Sequence, residues 1–367
     1  MKQVRKLVVK VGTTVLLGKE GGIDSDWVSE FSRQVADLVR EKRQVVIVSS
    51  GAIACGMHLL RRRRRPSHLP EEQAAAALGQ ARLMAFYDDA FRRQNLKTAQ
   101  LLLTQADLLD QKRRLNARHT LTALLEFGAI PIVNENDTVA TDEIRFGDND
   151  RLSSLVACLF GADLLVLLSD VDGFYRHFEK GALERLTTVE AITPEIERHI
   201  RNRRGPFSKG GMASKLMAAK IATQAGIWVL LAHGHTPHLL NRLLEGEEGI
   251  GTLFLPSKKR MGFRRSWIAF NAPSLGRLVV DEGAKNALLH LGKSLLPSGI
   301  RRVEGRFGVG EVAAIVDEAG FEFARGLTNY SSEEVEKIRG TRSDRIESIL
   351  GYKTTDEVIH RDNMAVL

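Results

Sequence analysis

The chain has 367 residues, of which 43% are apolar and 27% are charged, as in soluble globular proteins of two domains. No apolar run approaches the roughly 18 residues that a membrane span needs, and the N-terminal sequence MKQVRKLVVKVG lacks the hydrophobic segment of a signal peptide. A membrane protein is therefore excluded. Two cysteines, Cys55 and Cys158, stand in apolar surroundings, which predicts buried thiols and a cytoplasmic location and argues against a disulfide framework.

The net charge of +8 is confined to the first part of the chain. Residues 276–367 hold 13 basic and 15 acidic residues, so residues 1–275 carry a net charge of +10. Part of this excess is the run Arg61–Arg65 beside Pro66. A charge run is usually a solvated face or a flexible loop, and a contact with an anion or a nucleic acid is the alternative.

The first 255 residues alternate near-continuous apolar runs with amphipathic segments. Continuous apolar runs are typical of strands buried on both faces of a parallel sheet, and the alternation predicts a layered α/β fold with right-handed crossovers. The predicted strands are Lys6–Val11, Val45–Ser49, Ala99–Thr104, Ala129–Asn134, Leu164–Ser169 and Ile227–Ala232. The predicted helices are Trp27–Lys42, Gln73–Gln94, Arg113–Phe127, Asp150–Phe160 and Met212–Ala225, with a hairpin at 171–190.

A second, smaller domain is predicted after Pro256. Segment 257–265 is polar and basic, as suits a connector, and from Gly276 short β-like segments with turn glycines favour a compact, strand-rich domain. The predicted division is a first domain at 1–258, a connector at 259–275 and a second domain at 276–367. The predicted elements of the second domain are the strands Arg277–Asp281, Ile300–Glu304, Glu311–Val316 and Glu322–Leu327 and the helices Asp281–Leu291 and Ser331–Gly340.

Small and polar residues follow five predicted strands of the first domain. Because ligands of an open parallel sheet bind at the carboxyl ends of its strands, these turns predict a site at one edge, where glycine lets backbone N–H groups approach a phosphate. No GxxxxGK[ST] sequence occurs, which excludes a P-loop, and no GxGxxG follows the first strand, which argues against a dinucleotide enzyme. The turns are Lys10–Thr14, Ser49–Ala52, Asn134–Asp137, Ser169–Gly173 and Ala232–Gly234.

The segment 131–150, PIVNENDTVATDEIRFGDND, is rich in short polar side chains. Its clusters Asn134–Asp137 and Asp148–Asp150 contain four carboxylates and three amides. A solvated Asx-rich turn is the simple interpretation, and a binding site for a small polar ligand, or for a metal-bound one, is the alternative. Two lysines elsewhere would complement such a site: Lys10 lies in an apolar strand, where an unpaired charge is costly, and Lys215 lies in a glycine turn that opens a helix.

Nucleophilic side chains with an adjacent base do not stand out at the predicted edge. The histidines His233, His235 and His238 fit no common ligand spacing, so we predict no metal site built by the protein alone. A substrate carboxylate is already ionised at neutral pH and would need no general base. Lysines, backbone donors and a metal ion that neutralise a transferring phosphoryl group would then suffice.

Eight segments carry a family resemblance: VVKVGTTVL (8–16), VIVSSGAIACG (46–56), LLLTQADLLDQKRRLNARHTL (101–121), PIVNENDTVATDEIRFGDND (131–150), LLSDVDGFY (167–175), GGMASKL (210–216), LLPSGIRRVEGRFGVGEV (295–312) and ILGYKTTDEVIHRDNM (349–364). With these segments the chain resembles, nearly from end to end, the glutamate 5-kinases of the amino-acid kinase superfamily. The resemblance implies a three-layer α/β sandwich with a mostly parallel central sheet, and a small β-rich, PUA-like C-terminal domain. Related carbamate, aspartate and N-acetylglutamate kinases share the lysines and glycines but lack the Asn/Asp block and the appended domain.

The resemblance also implies a reaction and the residues that perform it. The reaction is ATP-dependent phosphorylation of the γ-carboxylate of L-glutamate to L-glutamyl 5-phosphate, the first step of proline biosynthesis. Lys10 and Lys215 would neutralise the transferring phosphoryl group, Asp150 would orient both lysines, and Mg²⁺ would bridge the ATP phosphates with few protein ligands. The implied glutamate-binding residues are Ser50, Gly51, Asp137, Asp148 and Asn149, and the implied nucleotide-binding residues are Lys10, Gly12, Thr13, Ser169, Asp170, Lys209, Gly210, Gly211, Met212, Ala213, Ser214 and Lys215.

Regulation and assembly are expected by the same resemblance. Proline is expected to inhibit through 135–150, the chain is expected to form a homodimer or homotetramer, and the next enzyme of the pathway is a candidate partner. One departure is Lys209, which stands where the family has a small hydroxyl residue, after the unusual segment 204–207 (RGPF). It leaves the details of the nucleotide loop open.

Two other functions remain as alternatives. A non-catalytic RNA-binding protein would explain the basic first domain and the PUA-like domain. However, RNA affinity rests on phosphate neutralisation, and the second domain has a net charge of −2, which favours an architectural or regulatory role. A related kinase acting on aspartate, carbamate or N-acetylglutamate is the other alternative.

Overall fold

The structure is a computed structural model that divides into two compact units, Met1–Arg260 and Met261–Leu367. It describes residues 1, 3–18, 21–62, 64–139, 148–177, 183–201, 211–257, 265, 268–269 and 274–367. None of the helices in these ranges has the length and hydropathy of a membrane span.

An eight-stranded sheet forms the centre of the first unit. Its strands are β1 Lys6–Val11, β2 Gln44–Ser49, β3 Lys97–Leu103, β4 Ala129–Glu135, β5 Leu164–Ser169, β8 Thr188–Val189, β9 Trp228–His233 and β10 Thr252–Phe254, and β6 Phe174–His177 and β7 Leu183–Leu186 pair separately as an antiparallel hairpin. The order across the sheet is β3-β4-β2-β1-β5-β9-β10-β8, and every neighbouring pair is parallel except β9 with β10. The predicted mostly parallel sheet and the hairpin at 171–190 are therefore confirmed.

Ten helices of the described residues accompany this sheet. They are α1 Thr13–Leu16, α2 Ser25–Arg40, α3 Ala52–Leu59, α4 Leu69–Arg92, α5 Gln105–Leu109, α6 Gln111–Glu126, α7 Asp148–Phe160, α8 Pro194–Arg201, α9 Gly211–Gln224 and α10 Leu239–Glu245. The five long predicted helices are present. Helix α4 begins four residues before the predicted start at Gln73, because Pro70 in its first turn fits a helix N-terminus.

Side chains of the central strand β1 point alternately to two helical layers. Leu7, Val9 and Val11 lie fully buried in a core that includes residues of α2 and α4. On the opposite face, Lys10 contacts Asp150 in the first turn of α7. The sheet is thus covered on both faces, which explains its continuous apolar strands and confirms the three-layer sandwich.

The second unit contains a five-stranded sheet with its own core. Its strands are β11 Gly276–Val280, β12 Ile300–Gly305, β13 Val312–Val316, β14 Glu322–Leu327 and β15 Met364–Val366 in the order β12-β11-β13-β14-β15, and its helices are α11 Glu282–His290, α12 Ser332–Ile338 and α13 Ile346–Leu350. The pair β11–β13 is parallel and the other pairs are antiparallel. A capping box between Ser331 and Glu334 starts α12.

Part of the segment predicted as a connector packs into this second unit. Ile268 and Ala269 are buried against Val312 of β13 and Ala365 of β15. Most other residues of 259–275 lie outside the described residues. The strand β15 was not predicted because three residues carry too short a pattern to be recognised.

Candidate active site

The polar turns after β1, β2, β4, β5 and β9 lie at one edge of the sheet, as predicted, because these strands are parallel. Backbone hydrogen bonds join neighbouring turns. The N–H of Ser50 donates to the Val11 carbonyl at 3.0 Å, the N–H of Gly12 donates to Leu168 at 3.2 Å, and the N–H of Gly234 donates to Ser169 at 2.8 Å. The turns after β2, β1, β5 and β9 are therefore held side by side.

A buried carboxylate shared by two lysines is the main feature of this edge. The Oδ1 atom of Asp150 lies 2.6 Å from the Nζ atom of Lys10, and its Oδ2 atom lies 3.2 Å from the Nζ atom of Lys215. The Ser214 hydroxyl also donates to Oδ2 at 2.6 Å. We call Lys10, Asp150 and Lys215 the lysine–aspartate cluster. Both Asp150 oxygens are engaged, so this carboxylate holds the two cations in place.

Local secondary structure explains how these three groups meet. Lys10 extends from β1 toward α7, and Asp150 stands in the first turn of α7, where the helix dipole stabilises a carboxylate. Lys215 stands one turn into α9, and its ammonium also donates to the Gly211 carbonyl at 3.2 Å. Two helices and a strand thus fix the cluster.

Burial and charge shift the titration of this cluster. Burial lowers the pKa of Lys10 below its ordinary value, and the Asp150 carboxylate opposes that shift. Burial alone would raise the pKa of Asp150, but the two lysines and the Ser214 hydroxyl outweigh burial and hold it below its ordinary value. The carboxylate is therefore ionised throughout the neutral range.

A cavity of about 380 Å³ opens beside Lys10 and Asp150. Its lining includes seven residues that were predicted as individual site residues and seven that were not, although three of the latter, Ala52, Asn134 and Glu135, belong to the predicted turns. The predicted ones are Lys10, Thr13, Ser50, Gly51, Asp137, Asn149 and Asp150. The others are Ala52, Ile53, Ala54, Met57, Arg65, Asn134 and Glu135.

Helix α3, which was not predicted, directs its N-terminus at this cavity. Gly51 precedes it with φ of 105°, a left-handed conformation that favours glycine, and an added Cβ would lie 2.8 Å from Leu16. The first-turn N–H groups of Ala52, Ile53 and Ala54 have no intrahelical acceptor and line the cavity. The helix was missed because its eight residues are short and include Gly56, but Gly51 was a signal for its start.

Arg65 and Asp137 line the same cavity, and Glu72 pairs with Arg65; we call these three residues the rim cluster. The Nε atom of Arg65 is 2.8 Å from Oε1 of Glu72, and the Arg65 side chain is 62% exposed. Burial raises the pKa of Asp137 to about 6, with Arg65 lowering it and Glu72 raising it.

The arginine run is thus divided between two environments. Arg62 pairs with Glu71 on the surface of α4, as expected of a solvated segment, whereas Arg65 lines the cavity. The two arginines differ in whether they lie at the cavity, and a run of identical residues does not reveal this difference.

The predicted nucleotide-binding residues lie around β1, β5 and α9. Gly12 and Thr13 begin α1 directly after β1, and a Cβ at Gly12 would lie 3.5 Å from the Lys10 ammonium. Ser169 ends β5 and donates to Asp170 at 2.9 Å. Gly211, Met212, Ala213, Ser214 and Lys215 form the start of α9. Lys209, Gly210 and segment 204–207 lie outside the described residues, as does the side chain of Asp148.

No three-member group of His, Cys, Asp or Glu suited to a metal ion occurs among the described residues. The histidines after β9 have other contacts. His233 accepts a hydrogen bond from the N–H of His235, and His238 lies 3.1 Å from Glu30.

The chain is similar to known proteins over nearly its whole length. The model of the amino acid kinase family matches residues 5–233, and that of the PUA domain matches 276–350. A glutamate 5-kinase of Citrifermentans bemidjiense is 47% identical over 371 residues, covering 100% of this chain and 99% of that protein. A glutamate 5-kinase of Caldanaerobacter subterraneus is 47% identical, covering 99% of this chain and 98% of that protein.

A solved structure shows the same fold in a more distant protein. Carbamate kinase from Giardia lamblia bound to AMP-PNP superposes with a TM-score of 0.52 at 18% identity, covering 70% of this chain and 100% of that one. At this identity the likeness concerns the fold alone.

Proposed function

Since the chain belongs to the amino acid kinase family and, within it, to the glutamate 5-kinases, we propose that its cavity uses ATP to phosphorylate the γ-carboxylate of L-glutamate. The product is L-glutamyl 5-phosphate, the first intermediate of proline biosynthesis. The observation that carries the assignment of roles is the sharing of Asp150 by Lys10 and Lys215. Two cations fixed by one buried carboxylate suit a reaction in which negative charge moves between a carboxylate and a phosphoryl group.

The lysine–aspartate cluster performs the phosphoryl transfer. The γ-carboxylate of glutamate is ionised at neutral pH and attacks the γ-phosphorus of ATP, while the bond from phosphorus to the β–γ bridging oxygen breaks. Lys10 and Lys215 neutralise the charge on the transferring group, and Asp150 prevents the two ammonium groups from separating. Because the nucleophile needs no deprotonation, this chemistry requires no general base.

The rim cluster and Asn149 bind the amino-acid end of glutamate. Asp137 accepts the α-ammonium, and Arg65 pairs with the α-carboxylate. The support is charge complementarity: Lys10 and Arg65 are the cations that line the cavity within the described part of the chain, and Lys10 is already held by Asp150. Ser50 and the N–H groups at the start of α3 donate to the γ-carboxylate.

ATP binds on the side of β5 and α9, through Gly12, Thr13, Ser169, Asp170 and the turn that begins α9. Anions bind favourably at the N-terminus of a 14-residue helix such as α9. Both oxygens of Asp150 are already occupied by lysines and Ser214, so the chain's residues suit an Mg²⁺ held mainly by ATP phosphates. That ion would neutralise part of the phosphate charge.

Regulation, assembly and location extend the proposal. Proline binds in competition with glutamate or near it, because it shares the α-carboxylate and the amine that the rim cluster would hold. The chain assembles as a dimer or tetramer in the cytoplasm, where its two free cysteines, Cys55 and Cys158, stay reduced.

An acyl-phosphate assay tests the function directly. Purified protein is incubated with Mg-ATP and one carboxylate at a time, and the product is trapped with hydroxylamine while ADP is measured by a coupled reaction. We expect trapping with L-glutamate and not with aspartate, carbamate or N-acetylglutamate, and less trapping when proline is added. Trapping with a different carboxylate would replace the substrate, and none with any of them would overturn the kinase assignment.

A further inference from the structure

Three buried amides form a chain that leads from α4 to the cavity. The Nδ2 atom of Asn134 in β4 donates to Oε1 of Gln80 at 2.7 Å. The Oδ1 atom of Asn134 accepts from Nδ2 of Asn149 at 3.1 Å. Gln80 is 9% exposed and does not line the cavity, whereas Asn149 does.

One backbone group determines the orientation of all three amides. The N–H of Glu135 donates to Oδ1 of Asn134 at 2.9 Å, and a backbone N–H can only donate. The Asn134 amide therefore presents its oxygen to Glu135 and Asn149 and its nitrogen to Gln80. Gln80 therefore turns its side-chain oxygen toward the Asn134 nitrogen, and Asn149 turns its side-chain nitrogen toward the Asn134 oxygen.

The consequence for Asn149 is that its carbonyl oxygen is left for another donor. In the described part of the chain, Oδ1 of Asn149 has no hydrogen-bond partner although it is buried. A buried acceptor without a donor is unfavourable by about 1–3 kcal/mol. The α-ammonium of an amino acid has three N–H donors and would relieve that cost.

Gln80 is held rigidly enough to control this chain. The neighbouring Gly79 lies so close to α3 that a Cβ would be 1.8 Å from the Ala52 carbonyl oxygen. At Gly56 of α3, a Cβ would be 1.8 Å from the Ala75 carbonyl oxygen of α4. The backbones of α3 and α4 are thus in direct contact beside Gln80, and the same contact fixes Ala52 at the cavity.

We propose that Gln80 is a positioning residue that makes the enzyme select an α-ammonium, acting through Asn134 on Asn149. The inference rests on the proposed function, since it concerns how glutamate is recognised. The Glu135 N–H decides which end of the Asn134 amide faces Asn149, and Gln80 holds that amide in place, so Asn149 presents an acceptor to the substrate. Without Gln80, the Asn134 nitrogen loses its acceptor, the amide shifts to find another, and the hydrogen bond that positions Asn149 weakens.

The test compares glutamate with glutarate, the same dicarboxylate without the ammonium. For Gln80→Met, which keeps the volume and removes the acceptor, KM for glutamate should rise about 10- to 100-fold, the loss of a hydrogen bond to a charged group. The kcat and the KM for ATP should stay within about threefold of those of the unmodified protein. The ratio of kcat/KM for glutamate to kcat/KM for glutarate should fall by the same factor by which KM for glutamate rises. Gln80→Glu keeps an acceptor whether or not it is protonated and should restore the preference.

Gln105→Met is the matched control. Gln105 is also buried, its Nε2 atom has no partner among the described residues, and it lies outside the cavity lining. Gln105→Met should leave the melting temperature unchanged or raise it, because it removes a buried donor without a partner, and it should not change the preference for glutamate over glutarate. If Gln80→Met folds poorly, Gln80→Leu, which also removes the acceptor, replaces it.

The inference is overturned if Gln80→Met and Gln80→Leu retain the preference for glutamate, or if Gln105→Met reduces it equally. Absence of glutamate phosphorylation by the unmodified protein is a separate result, because it rejects the proposed function itself.

Discussion

The two charged clusters at the cavity differ in burial, although each combines basic and acidic side chains. In the lysine–aspartate cluster the side chains of Lys10, Asp150 and Lys215 are 7%, 4% and 11% exposed. In the rim cluster Arg65 is 62% exposed, Glu72 is 14% exposed and Asp137 is partly buried. Electrostatic interactions weaken with access to water. The inner cluster can therefore supply large rate effects, and the rim cluster can supply only moderate binding effects.

This difference suggests a division of labour along one substrate. The inner cluster would act on the charge that appears during transfer, and so on kcat, whereas the rim cluster would act on groups that do not react, and so on KM. Substitutions in the two clusters should separate these two kinetic parameters.

The largest effect is expected from removing either inner lysine. Lys10→Ala and Lys215→Ala should each lower kcat at least about 10³-fold, because a fixed cation is lost from the transferring phosphoryl group. The KM for glutamate should change much less. Steady-state kinetics with the hydroxylamine assay would measure both, and circular dichroism would check folding. A loss confined to KM would contradict the proposed role.

Asp150→Asn should lower kcat by about 10²-fold, because the two lysines then repel each other without a shared carboxylate. The pKa of Lys10 should fall further, since the attraction that opposes its lowering is gone. The loss of activity should therefore grow as pH rises.

Ser214→Ala, which removes one hydrogen bond from the same carboxylate, should lower kcat only a few-fold. Equal losses in the two variants, or a loss that does not depend on pH, would argue against Asp150 as the organiser of the lysines.

Arg65→Ala should raise KM for glutamate about tenfold with little change in kcat, the expected cost of a charge-assisted contact near water. Glutamate 1-amide lacks the α-carboxylate, so it should bind equally weakly to the variant and to the unmodified protein. Arg62→Ala is the control, because Arg62 has a similar pair with Glu71 but does not line the cavity. If both arginine variants behave alike, Arg65 has no specific role in binding.

The two clusters also differ in how well the sequence predicts them. Lys10 was identifiable because a lysine inside an apolar strand needs a partner. The polar turns after parallel strands predicted the edge at which it lies, and the topology of the sheet confirms that edge. Asp150 was visible as a member of the Asp148–Asp150 cluster, but its role and that of Lys215 came from the family resemblance and not from strand patterns.

Arg65 and Gln80 could not be singled out in this way. Arg65 is one of five consecutive arginines. Only the way in which this segment packs against α4 distinguishes it from Arg62. Gln80 stands in an alanine-rich helix and matters only through a hydrogen bond to Asn134, 54 residues away. Long-range side-chain contacts of this kind depend on packing, which periodicity does not encode.

An effect of about the same size as that of Arg65→Ala is expected from the titration of Asp137. Its pKa of about 6 means that the carboxylate is mostly protonated at pH 5 and mostly ionised at pH 7. Because only the ionised form attracts an ammonium, kcat/KM for glutamate at saturating Mg-ATP should rise about tenfold from pH 5 to pH 7. The Asp137→Asn variant should have a lower kcat/KM for glutamate, and this kcat/KM should not rise from pH 5 to pH 7.

The neighbours of Asp137 should move the inflection in opposite directions. Arg65→Ala removes the positive charge that lowers the pKa of Asp137, so the rise should occur at higher pH. Glu72→Gln removes the negative charge that raises this pKa, so the rise should occur at lower pH. An inflection that persists in Asp137→Asn, or that neither neighbour moves, would assign the titration to another group. The rim cluster would then be a surface ion pair beside the cavity, and the division of labour between the two clusters would fail.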